Sequence, residues 1–438
     1  MTKNLDWLIK WGFYFLFFLV PLIFVSNTSE LFEFNKMLLT YALTIIICTA
    51  WAIKMVLANK FIYKRTFLEI PLLLYLGSHI LSTIFSIDPH VSLWGYYSRF
   101  HEGLLASTSY ILLYFAAVSN LNKEDVYKII KSSFAATIIV SVWGALEHFG
   151  YSPSCFLVTG KFNDACWIQD VKSRVFATLG QPNWMAAYLD ILILTAIGFG
   201  LKLQTQNQKI QTNFKNLKIR IWSLGLILLF LSALYFTKSR SGYAGLAVGL
   251  GVLVMFLVNI PNRIKILISI LVLVLGISFG IHWYQGLEPT PSGTITDSEA
   301  IRKPVWEGAI KVWQRYPVFG SGVETFGYSF YLDRPASKNL DSEWDFLYNK
   351  AHNEYLNLLA TTGTVGFITY LLVIGAFCFE MLKIVQHDTK VIPSATRDLV
   401  LAIFAGWVTI LVTNFFGFSV VIIGLYFFLI PALCEIIS

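Results

Sequence analysis

The sequence predicts an all-α polytopic integral membrane protein, with about twelve transmembrane helices and one long outer loop containing an amphipathic surface helix. Three observations lead there. Hydrophobic residues make up 56% of the 438 and charged residues only 13%, about half of the ~25% charge that a soluble domain carries. Windows of roughly 20 apolar residues, each enough to cross about 30 Å of hydrocarbon, recur along the whole chain. The basic residues between those windows fall on alternate sides. A cytosolic enzyme and a disordered chain are both excluded by this composition.

The windows lie near 8–26, 37–58, 67–86, 103–119, 130–149, 183–201, 220–237, 241–258, 264–283, 354–382, 397–414 and 418–436. Lys3 and Lys10 precede the first as in a signal peptide, but that run is long, aromatic and without a small-residue cleavage site, so it reads as a span. The pair around Thr237–Gly242 is tight enough that a re-entrant hairpin is an alternative. With a cytoplasmic N-terminus and alternating spans, 19 of the 33 Lys and Arg lie in inner segments and four in short outer ones. Seven of the rest sit in the long loop 284–353, where the positive-inside rule applies weakly, and three in the loop 150–182. Most of the +7 net charge is therefore a topology signal, and no nucleic-acid partner is expected. Both termini fall in the cytoplasm. The chain divides into spans one to nine with the loop 150–182 (1–283), an extracytoplasmic loop (284–353) and three closing spans (354–438).

Five Cys, with no CxxC or Cys/His spacing, make neither a disulfide scaffold nor a zinc site. Cys155 and Cys166 face an oxidising compartment on this topology, where a disulfide and two unrelated thiols are both open. In the long loop Thr296-x-x-Glu299 has the capping-box pattern, followed by Ile301, Val305, Trp306, Ala309, Ile310 and Trp313 at helical spacing. Lys303, Glu307, Lys311 and Gln314 take the other face. A helix over 298–315 is expected to lie on the outer membrane surface with its Trp at headgroup level, ended by Pro317.

Four stretches carry candidate chemistry, and the topology puts all of them on one side. They are Trp94–Gly103 with Arg99, Arg174–Asn183, Thr237–Gly242 with Arg240, and a run from Arg302 and Trp306 past Gly320 and Gly322 to His352–Leu356. Pro182, Ser241 and His352 lie at or near outward helix N-termini, whose free N–H groups and partial positive charge suit an anion. Pro182 fits a first helical turn and Ser241 suits a cap on the eighth span. Arg99, Arg174, Arg240 and Arg302 add planar charged forks matched to phosphate oxygens, which points to a lipid phosphate or diphosphate. Plainer readings compete. An outward Arg snorkels to headgroups, a His at a helix start hydrogen-bonds there, and Gly320 and Gly322 are turn residues. Asp190, inside a span, reads as a buried structural hydrogen bond, and Glu147 and His148 read as interfacial.

Ser239-Arg240-Ser241-Gly242 after the seventh span, Gly180-Gln181-Pro182-Asn183, Arg302 before a helix ending in Pro317-x-x-Gly320-x-Gly322, and His352-Asn353-x-Tyr355-Leu356 together resemble the O-antigen ligase superfamily. That superfamily includes O-antigen ligases, related polymerases and protein O-oligosaccharyltransferases. The resemblance implies transfer of a glycan from undecaprenyl diphosphate to an acceptor hydroxyl, on lipid A core or on a protein, at the outer face of the bacterial inner membrane. It implies no metal and no cofactor, and the outer loops carry no Asp-x-Asp pair. Carried over by motif, Arg240 and Arg302 bind the diphosphate and His352 takes the acceptor proton or orients the acceptor hydroxyl, as catalytic residues. Arg174, Arg99, Ser239, Ser241 and Asn183 complete the diphosphate site. A polymerase of the same superfamily and, from another class, a polytopic solute transporter are the rival readings.

Overall fold

Long apolar windows become helices, since within a bilayer only intra-segment hydrogen bonding satisfies the backbone. The computed structural model describes residues 2–207, 213–258, 263–264, 267, 298–387 and 394–438. The first half holds α1 (Thr2–Leu19), α2 (Glu33–Ala58), α3 (Glu69–Ile84), α4 (Pro89–Trp94), α5 (Leu104–Asn120), α6 (Lys123–His148) and α7 (Pro153–Thr159). Then come α8 (Pro182–Asn207), α9 (Asn213–Thr237), α10 (Arg240–Leu257), α11 (Ser298–Arg315), α12 (Phe326–Asp333), α13 (Glu354–His387), α14 (Ser394–Phe415) and α15 (Val421–Ile437).

Among the described residues six helices, α2, α6, α8, α10, α13 and α14, are long and apolar enough to cross a membrane. Helices α3, α5, α15 and the Ile221–Thr237 part of α9 are apolar but shorter. Helix α1 stops at Leu19, short of the expected 8–26 window. The expected span 264–283 and the capping residue Thr296 lie outside the described residues.

Helix α8 packs along α14, α9 and α10. Gly242, Gly245 and Gly249 form one face of α10 where a Cβ would meet Ala186, Asp190 and Leu194 of α8, so bare backbone is what permits the contact. Helix α15 is apolar on every side and buried along nearly its whole length, as the innermost helix of a bundle must be. Asp190 is fully buried beside Gly245, and neither carboxyl oxygen has a hydrogen-bond partner among the described residues. The structural hydrogen bond expected of it is not there.

Two further expectations are corrected. Helix α11 forms over Ser298–Arg315, but its stripe of Ile301, Val305, Ala309 and Val312 is buried against Phe326 and Phe330 of α12 and Tyr348. Trp306 packs on Phe415, with ring centroids 5.8 Å apart, and Trp313 donates to Thr364 of α13 at 3.0 Å. Protein, and not headgroups, covers that face. Glu147 is fully buried and not interfacial: it accepts from the hydroxyls of Ser152 and Ser154 and from the N–H groups of Phe176 and Ala177. One carboxylate thereby ties the end of α6 to the strand of chain leading into α8. Within that loop Cys155 and Cys166 form a disulfide, with Cα atoms 5.5 Å apart.

Helix α13 is broken at Gly363 (φ 65°). The Pro317–Gly322 segment lies along the break, where Ser321 and Gly322 N–H donate to Ala360 and Thr361 carbonyls, and Thr364 and Val365 N–H to Pro317 and Val318 carbonyls. Gly320 (φ 75°) is required here, because a Cβ would fall 2.2 Å from the Thr361 backbone. The segment that follows α11 is thus joined to α13 through the backbone groups that the break sets free.

Candidate active site

The four charged stretches converge on the cleft between the starts of α8 and α10, the turn before α13 and the α14–α15 connection. Asn183, Trp184, Ser241, His352, Asn414 and Phe418 border it. Residues more than 150 positions apart in the sequence, from Asn183 to His352, meet there.

Asn183 organises one wall. Its Oδ1 accepts from Ser239 Oγ at 2.8 Å and from Arg174 Nη2 at 3.3 Å. Arg174 Nε also donates to the Thr237 carbonyl at 3.4 Å. The chain turns tightly at Lys238 (φ 48°), and Ser239 caps α10 by accepting from Gly242 N–H at 3.2 Å. The cap is therefore Ser239 and not Ser241; a cap must precede the first helical residue, Arg240, so Ser241 is left to line the cleft and exchange a 3.1 Å hydrogen bond with Ser239. Burial, and then the Arg240 guanidinium nearby, hold Arg174 below the ordinary arginine range. Two permanent cations stand together here, a pairing that an anion relieves.

His352 forms the opposite wall. It adopts a left-handed backbone (φ 53°), and its ring packs edge-on between Tyr348 and Phe418, centroids 5.4 and 5.3 Å away. Burial, with Arg302, Arg99 and Lys338 adding to it, holds its pKa down to about 3. The imidazole is therefore neutral near pH 7, able to accept a proton but weakly basic in these surroundings. The Arg99 guanidinium lies over the rings of Trp184 and Phe418, at 5.3 and 5.9 Å, and its Nη1 is buried without a hydrogen-bond partner among the described residues. Arg302, on α11, is close enough to act on both His352 and Tyr348.

All eight sequence-derived residues thus surround one space, Asn183, Ser241 and His352 as lining and Ser239, Arg174, Arg240, Arg302 and Arg99 around it. Sequence reasoning missed Trp184 and Phe418, which read as ordinary membrane aromatics. It also missed a second cavity, bordered by Glu102, Glu324, Glu354, Tyr75, His79 and Asn357. Glu102 and Glu354 sit inside stretches already singled out, yet nothing local in sequence pairs them. Among the described residues no group of three His, Cys, Asp or Glu is disposed to hold a metal ion.

Two comparisons with known proteins bear on this cleft. A family model described as O-antigen ligase matches residues 225–371, about a third of the chain, from α9 through the first half of α13. An uncharacterized protein of Haemophilus influenzae is 23% identical over 182 residues, covering 39% of this chain. The chain spans about half the length of that curated relative, 45%.

Proposed function

We propose, from the match of residues 225–371 to a family model described as O-antigen ligase, that the chain is a membrane glycosyltransferase moving a glycan from undecaprenyl diphosphate to an acceptor hydroxyl. The observation that carries this reading is the common cleft of His352, Asn183 and Ser241, ringed by four arginines. Arg240 and Arg302 grip the diphosphate, with Arg174 held in place by Asn183 and Arg99 at the aromatic wall. The acceptor oxygen attacks the anomeric carbon, the bond from that carbon to the diphosphate oxygen breaks, and the electron pair leaves with undecaprenyl diphosphate. The hydroxyl proton passes to a ring nitrogen of His352 and then to water.

Donor binding also prepares the base. Cations around His352 depress its proton affinity, and a bound diphosphate cancels them, so the imidazole becomes more basic when the reaction needs it. The guanidinium groups stabilise charge growing on the leaving diphosphate, which is the larger contribution for so good a leaving group.

In this reading the cleft opens to the periplasmic side of a bacterial inner membrane, both termini are cytoplasmic, and 284–353 is the periplasmic unit between membrane blocks 1–283 and 354–438. The Cys155–Cys166 bond in the loop that leads into the cleft supports that orientation, because such bonds persist in oxidising compartments. A transfer assay in proteoliposomes with a polyprenyl-diphosphate glycan tests the proposal. Glycan delivered to lipid A core or protein, undiminished by chelator, is the expected result. Lengthening of the glycan on its carrier identifies a polymerase instead, and solute flux without transfer identifies a transporter.

A further inference from the structure

Lys350 stands two residues before His352, and its ammonium is nearly inaccessible, 1% exposed. It is paired with Glu102, from the loop before α5, and with Glu324, from the loop before α12. Lys350 Nζ also lies 5.9 Å from the centroid of Phe418, the ring that packs against His352. On the other side of the histidine, Asn353 Oδ1 accepts from Leu356 N–H at 3.1 Å, and Ala351 N–H donates to Asn357 Oδ1 at 3.3 Å. His352 itself holds a left-handed backbone that non-glycine residues rarely adopt unless their surroundings impose it.

We propose that Lys350, Glu102 and Glu324 are positioning residues for His352: an ion clamp drawn from three chain segments that holds its backbone in the left-handed turn and its ring against Phe418, facing the cleft. The inference rests on the reading of His352 as the base. A buried ion pair contributes little to stability compared with apolar side chains of equal volume, so its presence beside a strained residue is better accounted for by geometry than by folding energy. The clamp is also anchored where movement is least tolerated. Glu324 stands two residues after the segment bonded along the α13 break, and its buried Oε2, without a hydrogen-bond partner among the described residues, belongs to a residue lining the second cavity.

Four variants in proteoliposomes test this: Lys350→Met, Lys350→Met with Glu102→Gln, Lys350→Arg, and His352→Ala. Lys350→Met is expected to lower turnover about 100-fold, the scale of an ångström-sized displacement of a catalytic group, with affinity for undecaprenyl diphosphate kept within about threefold. The double variant removes a carboxylate together with its ammonium, which protects the fold, and shows the same loss. Lys350→Arg recovers part of the rate. Independently of activity, diethyl pyrocarbonate labelling of His352, read by peptide mass spectrometry, rises in Lys350→Met. Wild-type turnover in a stably folded Lys350→Met or double variant, parallel loss of affinity and turnover, or unchanged His352 labelling each overturn the clamp. An active His352→Ala overturns the proposed base instead, and the labelling result then still decides whether Lys350 positions that ring.

Discussion

Two chambers of opposite character meet where the chain passes from Phe418, which lines one, to Ser419, which lines the other. On one side, the cleft gathers arginines around a neutral imidazole, and its polar groups reach outward from helix starts. On the other, Glu102, Glu324 and Glu354 line a second cavity, and the buried ammonium of Lys350 pairs with the first two. The first has cations in excess and awaits an anion. The second satisfies its charges largely within the protein: Glu354 accepts from Ser419 N–H at 3.2 Å and Lys350 bridges the other two acids. The contrast teaches that charge gathered around an open cleft and charge spent on geometry can lie within a few residues of each other, told apart by what the groups line and what they bridge.

The contrast is sharpest at His352. His352→Ala is expected to lower turnover by about 100- to 10,000-fold, the range for a general base, with donor binding retained; a drop confined to affinity would make the residue a ligand contact only. Arg240→Ala and Arg302→Ala follow at about 100- to 1,000-fold, the loss seen when one donor to a developing anion is removed. Lysine at either position should restore little, since it lacks the planar fork. Asn183→Ala removes one hydrogen bond each from Ser239 and Arg174 at roughly 1 kcal/mol apiece, read as about 30-fold weaker binding of the donor.

The pH profile separates the empty cleft from the filled one. With His352 held near 3 in the free protein against an ordinary 6.5, kcat/KM should show no acidic limb from this group between pH 5 and 8. In kcat, which reports the donor-bound state, a limb should appear at higher pH. Stability carries the same sign. The unfolded chain takes up a proton below 6.5 while the folded one does not, so this group's contribution is lost as pH falls from 6.5 toward 3. Replacing Cys155 and Cys166 by Ser should have the smallest effect on rate. It should lower stability by about 3 kcal/mol on a chain-entropy basis for so short a loop, measured as a drop in Tm with turnover unchanged.

The arginine side was legible because its motifs are short and local: a Ser-Arg-Ser-Gly turn and a Gly-Gln-Pro-Asn helix start carry their geometry in consecutive residues. Even there, the cap on α10 shifted from Ser241 to Ser239, a register that propensity alone does not decide. The acidic side was illegible for the converse reason. Lys350 and Glu102 lie 248 positions apart, and only the packed bundle brings them together. Periodicity likewise revealed the apolar stripe of α11 but not what would cover it, since lipid and protein ask for the same side chains. Glu147 was read from its place at a helix end, and its four donors come from a loop whose path no pattern encodes.

The break in α13 has a consequence for anyone exchanging parts between related chains. Because Pro317–Gly322 is laced by four backbone hydrogen bonds to residues 360–365, the extramembrane loop is no interchangeable cassette inserted between spans. A chimera that swaps the loop but stops before the kinked helix would strand unpaired backbone groups beside the buried residues 360–363, whereas a graft carried through Val365 would bring its own seam with it.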